Sequence, residues 1–323
     1  MSEREGTEFA HEPVLRDEVT TWLALPTGGV GLDCTVGGGS HLAALAAGSA
    51  PGAEFYGIDR DRDAVAAARH ALRDLPQVKQ IICAPFGRLS AVLGELHITR
   101  IDRALFDLGV SSYQIDTPQR GFSFQQGGPL DMRMDTTMAN TAADLVNTAA
   151  EAELSLIFFK YGEERRARRI AAEIVRQRAA TTFSRVEQLR ETIERAVGKA
   201  NLTKTLARIF QALRIAVNDE LGELERALPQ AVAALNPGGR IGVISYHSLE
   251  DRTVKDFFRS RTGECVCPPG LPVCACGATA ELTVLTRKPV TPTADEIARN
   301  PRSRSAKFRV AEKLEPPAPE ARP

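Results

Sequence analysis

The sequence predicts an α/β fold, a mainly parallel, doubly wound sheet interrupted by an all-helical insertion. Three observations carry that prediction. Apolar runs that end in an acid alternate with helix-forming stretches, as in Gly31-Leu32-Asp33, Gly57-Ile58-Asp59 and Leu105-Phe106-Asp107. Such alternation is the signature of βαβ units. From Ala142 to about Val197 the apolar period turns helical throughout, and a buried-strand pattern, Ile241-Gly242-Val243-Ile244-Ser245-Tyr246, then returns the chain to the sheet.

Composition sets the outer limits. At 323 residues, 43% hydrophobic and 25% charged, the chain can bury a sizeable core. Met1 to Glu12 is polar and acidic, without the apolar segment of a secretory signal, and no apolar run reaches a membrane span. The expected location is cytoplasmic. With 41 basic and 41 acidic residues the formal net charge is zero. A uniformly basic surface is therefore excluded, and any polyanion must meet local clusters. Two stand out: Arg165-Arg166-Ala167-Arg168-Arg169 with Arg176 and Arg178, and Arg299 to Arg304 with Lys307 and Arg309.

The elements follow in order. Residues 1–10 are expected to be disordered. An amphipathic helix passes through Val19, Trp22 and Leu23. The strand ending at Asp33 enters Gly37-Gly38-Gly39-Ser40-His41, and Leu42-Ala43-Ala44-Leu45-Ala46 forms the helix beyond it. The strand ending at Asp59 leads to a helix from Asp61 to Leu75, since Val65, Ala68, Leu72 and Leu75 share a face. Gln80 to Phe86 reads as a third strand and Arg103 to Asp107 as a fourth. Gly109 to Asp135, rich in Gly, Phe, Ser, Asp and Arg, has neither period and reads as a functional loop. In the helical stretch Arg165, Arg169 and Arg176 fall on one stripe, and Ala167, Ile170 and Ile174 on the other. Val217, Leu221, Leu224, Leu228, Val232 and Leu235 suggest one helix, ended by Asn236-Pro237-Gly238-Gly239. Glu281 to Arg287 and Lys307 to Val310 are the last strands, and a Pro-rich tail closes the chain.

Strand, glycine turn and helix in that order make a candidate cofactor loop, because glycines admit close approach and the helix start offers unpaired N–H groups. Gly37-x-Gly39 lacks the third glycine of the dinucleotide fingerprint, with Leu42 in its place. Asp59, twenty residues after Gly39, is placed to accept ribose hydroxyls. Asp33 precedes the glycines, where a carboxylate repels a pyrophosphate and favours a cation. That polarity fits the sulfonium cofactor S-adenosylmethionine better than NAD.

Longer blocks carry a resemblance. Asp107-Leu108-Gly109-Val110-Ser111-Ser112, Arg120-Gly121-Phe122-Ser123-Phe124, Gly128 to Asp135, Tyr161-Gly162-Glu163-Glu164, Phe210 to Ile215, His247-Ser248-Leu249-Glu250-Asp251-Arg252 and Asn300 to Lys307 together closely resemble the RsmH (MraW) family. These bacterial enzymes methylate N4 of a decoding-centre cytosine in 16S ribosomal RNA. The resemblance implies a class I S-adenosylmethionine-dependent methyltransferase fold, Rossmann-like, with an inserted helical domain. It implies a methyltransferase domain over 11–136 and 210–312, an RNA-facing insertion over 137–209 and a disordered tail over 313–323. It assigns cofactor contacts to Gly39, Ser40, His41, Asp59, Phe86, Asp107 and Gln114. Loop N–H groups would meet the methionine carboxylate, Asp59 the ribose and Phe86 the adenine, with Asp107 and Gln114 at the inner end. Ser40 departs from the family's usual glycine, and would be strained if that position needs positive φ. Tyr246 stands where the family more often has Phe.

Methylation of a cytosine amine requires an in-line approach to the sulfonium methyl and acceptance of an amine hydrogen. Asp107 is the candidate catalytic residue, either in that role or in serving the cofactor alone. The Asp/Asn/Ser-Pro-Pro-aromatic motif of many amino-methyltransferases is absent, since Asp107-Leu108-Gly109-Val110 lacks the prolines. Ser111, Ser112 and Tyr113 are candidates for a base pocket, and His247 reads as structural. No residue stands out as a general base. The target base must be unpaired or flipped out. Zero net charge favours an assembled small subunit as substrate over naked 16S rRNA, and leaves homodimer formation open. Cys265, Cys267, Cys274 and Cys276 form two CxC pairs that suit either tetrahedral zinc or reduced thiols. An NAD-dependent oxidoreductase and a non-catalytic RNA-binding protein are the competing classes. The first lacks its third loop glycine, and the second would not need Asp33, Asp59 and Asp107.

Overall fold

The computed structural model describes residues 13–264 and 279–315. The expectations about the first ten residues, the end of the tail and the four clustered cysteines lie outside them. The chain forms two compact units, one of Met1–Gly109 with Glu223–Pro323 and one of Val110–Gly222.

The first unit opens with α1 (Arg16–Leu23), β1 (Gly29–Asp33), α2 (Ser40–Ala47), β2 (Ala53–Asp59), α3 (Arg62–Ala71), β3 (Val78–Cys83), α4 (Leu89–Glu95) and β4 (Ile101–Asp107). The second unit holds α5 (Ser112–Asp116), α6 (Ala142–Thr148), α7 (Glu151–Gly162), α8 (Ala167–Arg178), α9 (Val186–Val197) and α10 (Leu202–Asn218). Then α11 (Glu220–Ala234) leads back to β5 (Leu235–Ser245), α12 (Ser248–Ser260), β6 (Leu282–Val284), α13 (Ala294–Arg299) and β7 (Lys307–Lys313). The sheet has seven strands in the order β3-β2-β1-β4-β5-β7-β6. β1 to β5 pair in parallel, and β7 runs antiparallel between β5 and β6. The order reverses at β1, which is where an open α/β sheet opens a ligand crevice beyond its strand ends.

Both sheet faces are covered. On one, Leu89, Val92, Leu228, Ala231 and Phe258 pack over Phe106 and Val243. On the other, Val19, Leu23, Leu42, Leu45 and Val65 pack over Phe55, Leu105 and Phe308. Apolar residues occur on both sides of these strands because each strand is buried twice.

Three sequence expectations are corrected here. The periodic run from Val217 to Leu235 is not one helix: Asp219 takes φ 49 and separates α10 from α11. Asn218 is fully buried at that break, donating to the Met132 and Arg214 carbonyls while its Oδ1 accepts from Met134 N. The helix does end at Ala234, but Asn236 to Gly239 is not a link ahead of the strand: it bulges within β5, whose pairing with β4 jumps from Ile101↔Leu235 to Arg103↔Arg240. Asn236 Nδ2 donates to Asp102 Oδ1 there at 2.8 Å. Phe86 lies beyond β3, opening a 3-10 turn over Phe86–Arg88.

The helical unit is also wider than 137–209. The irregular stretch before α6 belongs to it because Leu130 and Met132 are buried among Ile170, Leu189, Ile209 and Leu213. Arg120, also buried, holds this stretch in shape by donating to the Arg133 and Met134 carbonyls at 3.0 and 2.8 Å.

Candidate functional site

In the first unit the carboxyl ends of β1, β2, β4 and β5 bring together what the sequence spreads over more than two hundred positions. β1 ends on Asp33, which is fully buried. Its Oδ1 accepts from Thr35 N at 3.0 Å, while Oδ2 is buried without a partner. Burial pushes the Asp33 carboxyl up to about 7, against the opposing pull of His41 and the Thr35 N–H.

The loop that follows is held by the neighbouring strand. Gly37 N donates to Asp59 Oδ2 at 2.9 Å, and Asp61 N donates to Asp59 Oδ1 at 2.8 Å. Burial pushes Asp59 up to about 6 despite those N–H groups. Each Asp59 oxygen keeps a further lone pair for a ligand hydroxyl. Gly37 and Gly39 take φ 50 and 93, and a Cβ on Gly39 would lie 2.8 Å from Leu72 Cδ1. Ser40 is not among the positive-φ residues. It is the first residue of α2, so the strained conformation falls on Gly39 and serine fits the helix start without cost.

His41 is buried in the first turn of α2, with Nε2 3.3 Å from Asp107 Oδ2. Burial alone lowers an imidazole pKa, but the bond to Asp107 and the charges of Asp107 and Asp33 outweigh it and raise that of His41. Tyr246, just past β5, donates its hydroxyl to Asp107 Oδ1 at 2.8 Å. Asp107 N donates to Thr35 Oγ1 at 2.6 Å. Burial and the adjacent Asp107 push the Tyr246 phenol well above its usual range, so it remains a donor. Asp107 is thus hydrogen-bonded at Oδ1 and at its amide, with the His41 ring at ion-pair distance from Oδ2.

Phe86 is partly buried, its ring meeting Phe106 edge-on at 5.7 Å. His247 caps α12, its Nδ1 accepting from Glu250 N at 3.3 Å, which is the structural role expected of it. Lys307 and Arg309 are not free for a polyanion: both pair with Asp251, at 3.1 and 2.7 Å, tying β7 to α12. Gln114 belongs to the helical unit, where it is buried and its Oε1 accepts from Ser111 N in a capping box opening α5. Ser111, Ser112 and Tyr113 are partly buried in the same segment.

Thr35 and the Tyr246 hydroxyl were not singled out as site residues in the sequence. Nothing local marks them, since each matters only through a strand neighbour that the sheet order supplies.

An unpartnered buried carboxylate oxygen, a glycine loop at a helix start and further acids on adjacent strand ends suit a cationic, ribose-bearing cofactor. With the Rossmann-like sheet order, they define the architecture of a class I methyltransferase. A model of the MraW methylase family matches residues 8–314. A "Ribosomal RNA small subunit methyltransferase H" from Carboxydothermus hydrogenoformans is 47% identical over 309 residues, covering 95% of this chain and 99% of its own. One of the same name from Thermomicrobium roseum is 48% identical over 306 residues, covering 94% of each. A solved rRNA methylase from Streptococcus thermophilus aligns over 93% of this chain and 94% of its own, at 13% identity and a TM-score of 0.39. That last likeness is too low to carry weight. The chain belongs to the MraW methylase family, S-adenosylmethionine-dependent methyltransferases. Among the described residues no helix is long and apolar enough to cross a membrane.

Proposed function

We propose that this chain transfers a methyl group from S-adenosylmethionine to N4 of a decoding-centre cytosine in 16S rRNA of the small subunit. The name of its relatives supports rRNA of the small subunit as the substrate class. The observation that carries the chemistry is Asp107, an acid at the crevice end of β4 hydrogen-bonded at Oδ1 by Tyr246, with His41 at ion-pair distance from Oδ2.

The cofactor supplies an electrophilic methyl on a positively charged sulfur. Around it, N–H groups at Ser40 and His41 would hold the methionine carboxylate. Gly39, whose own N–H donates to Val36 O at 2.7 Å, shapes the loop for close approach, and Asp33 Oδ2 would take the methionine ammonium. Asp59 would take the ribose hydroxyls, Phe86 the adenine face, and Asp107 the inner end. Asp107 would orient the amine by accepting one of its hydrogens, since the grip on the carboxylate leaves it little freedom to turn away. Once the nitrogen has taken the methyl it is acidic, and its proton leaves to Asp107 or to water. The helical unit would face the RNA, with an assembled subunit as the natural substrate of a protein whose net charge is zero.

The test is transfer of labelled methyl to small subunits from cells lacking the endogenous enzyme, wild type beside Asp107→Ala, with products mapped by nucleoside mass spectrometry. N4-methylcytidine from the wild type alone is the expected result. A methylated nucleoside other than N4-methylcytidine would overturn the assignment of the target, and equal transfer by the variant would remove Asp107 from the chemistry.

A further inference from the structure

Helices α7 and α8 of the helical unit meet at a corner that departs twice from ordinary helix surfaces. Leu156 and Phe159 of α7 are 61% and 65% exposed, and they are the large apolar side chains open to solvent among the described residues. Phe159 lies in the last turn of α7, beside exposed Lys160. Across the short connection, Arg165, Arg168 and Arg169 crowd the start of α8, and no acid stands in its first turn. A helix start carries partial positive charge, so cations there oppose the helix dipole.

The other arginines of the same run are built into the fold. Arg166 pairs with Glu164 at 3.4 Å and donates to Val197 O and Thr205 Oγ1. Arg176 pairs with Glu173, and Arg178 Nη1 donates to the Val146 and Ala149 carbonyls at 2.9 and 2.7 Å. Arg165, Arg168 and Arg169 are exposed and have no such partner among the described residues. The run therefore divides into Arg166 and Arg178, which tie α8 to neighbouring segments, Arg176, which pairs within α8, and arginines that hold nothing.

Unpaired guanidinium groups at the start of α8 and an unburied aromatic ring in the last turn of α7 supply the two contacts that unpaired RNA offers, phosphate pairing and base stacking. We propose that the α7–α8 corner docks an unpaired stretch of rRNA, with Arg165, Arg168 and Arg169 on phosphates and Phe159 against a base. The inference rests on the rRNA reading above and names the surface that serves it. Charge selects this occupant over a second copy of the chain, because a two-fold contact here would set the same unanswered arginines against one another.

The test uses the full chain and small subunits lacking the methyl mark, with Kd measured across a range of KCl concentrations. Arg168→Gln with Arg169→Gln should weaken binding about tenfold at low salt. It should also flatten the slope of log Kd against log salt by about 1.4, at roughly 0.7 per phosphate contact on a single strand. Phe159→Ala should weaken binding about tenfold with the slope unchanged. Cofactor affinity and thermal midpoint should hold in both, which separates a lost contact from a damaged fold. Unaltered affinity and slope in both variants would overturn the proposal. So would a wild-type dimer that Phe159→Ala dissociates while subunit binding persists. If wild type transfers no methyl to subunits the rRNA reading itself fails, whereas wild-type transfer with indistinguishable variants sinks the corner alone.

Discussion

The two units differ in what stands beside a buried acid: arginines at Glu164, further acids at Asp33. In the helical unit, cations or main-chain groups stand beside the buried acid and amide that hold it together, although Glu164 Oε2 and Gln126 Oε1 make no hydrogen bond. Glu164, 2% exposed, lies 3.4 Å from Arg166 and 3.5 Å from Arg208, and buried Asn218 and Arg120 are spent on main-chain groups. At the strand ends of the first unit, Asp33 Oδ2 is buried with nothing to accept from, and His41 and Asp107 stand among further acids. Groups of the first kind are paired because desolvation without a partner is costly. A buried acid left unpartnered at a crevice is where a fold has kept binding energy for a ligand.

The largest effect should come from breaking the functional side of that contrast. Asp107→Ala is expected to lower single-turnover methyl transfer by roughly 10²- to 10⁴-fold, with a lower thermal midpoint as well because the Tyr246 hydroxyl and His41 lose their partner. A drop below tenfold would move Asp107 to the ranks of the merely structural.

Asp33 sharpens the contrast through pH. Its folded-state pKa of about 7 lies above the ordinary 3.8. The folded protein then binds the extra proton, so Asp33's contribution to apo stability is present at low pH and is lost as pH rises from 3.8 through about 7. Cofactor affinity should run the other way. Below about 7 the acid must shed a proton to meet an ammonium, so Kd should fall as pH rises to that value and level off above it. Asp33→Asn should flatten the profile, weaken binding at high pH by roughly ten- to a hundredfold, and raise the apo midpoint. Calorimetry in two buffers of different ionisation heat near pH 6 checks it; absence of proton release in the wild type would count against an ionised Asp33 in the complex.

Glu164→Ala tests the other unit. Losing a buried acceptor for two partly exposed arginines should cost about 2 kcal/mol in urea unfolding, since those arginines can turn to solvent. Cofactor affinity should not change, and a variant that loses affinity in step with stability would blur the division between units. The smallest effect belongs to Tyr246→Phe, which keeps the ring and removes one donor. Single-turnover rate should fall roughly three- to tenfold at unchanged cofactor Kd. A weaker Kd at unchanged rate would make Asp107 a cofactor ligand rather than a group acting on the amine.

Much of the first unit was legible because its signals are local. A run such as Glu54 to Asp59 reads as a strand wherever it sits, and Gly37 to His41 reads as a ligand loop because glycine and a helix start are recognisable in sequence. Asp59 was legible from its spacing alone. The split between α10 and α11 was not, since it depends on a buried Asn218 amide that answers Met132 and Met134 from more than eighty positions away. Nor was the bulge in β5, where a proline-glycine run that reads as a stop is carried inside a strand by β4 and Asp102. The arginine stripe was visible, but not which of its members are occupied.

By itself the sequence determined the α/β class, the interruption by helices, the ligand loop and the acids at the strand ends. These follow from periodicity and from residue types whose preferences act over a few positions. Only the tertiary structure decided that His41 and Tyr246 converge on Asp107, that Ser40 escapes strain because Gly39 takes the positive φ, and that Lys307 and Arg309 are tied to Asp251. Such outcomes depend on which strands become neighbours. Sheet order is set by the burial of whole faces, a property that no short stretch of the chain contains.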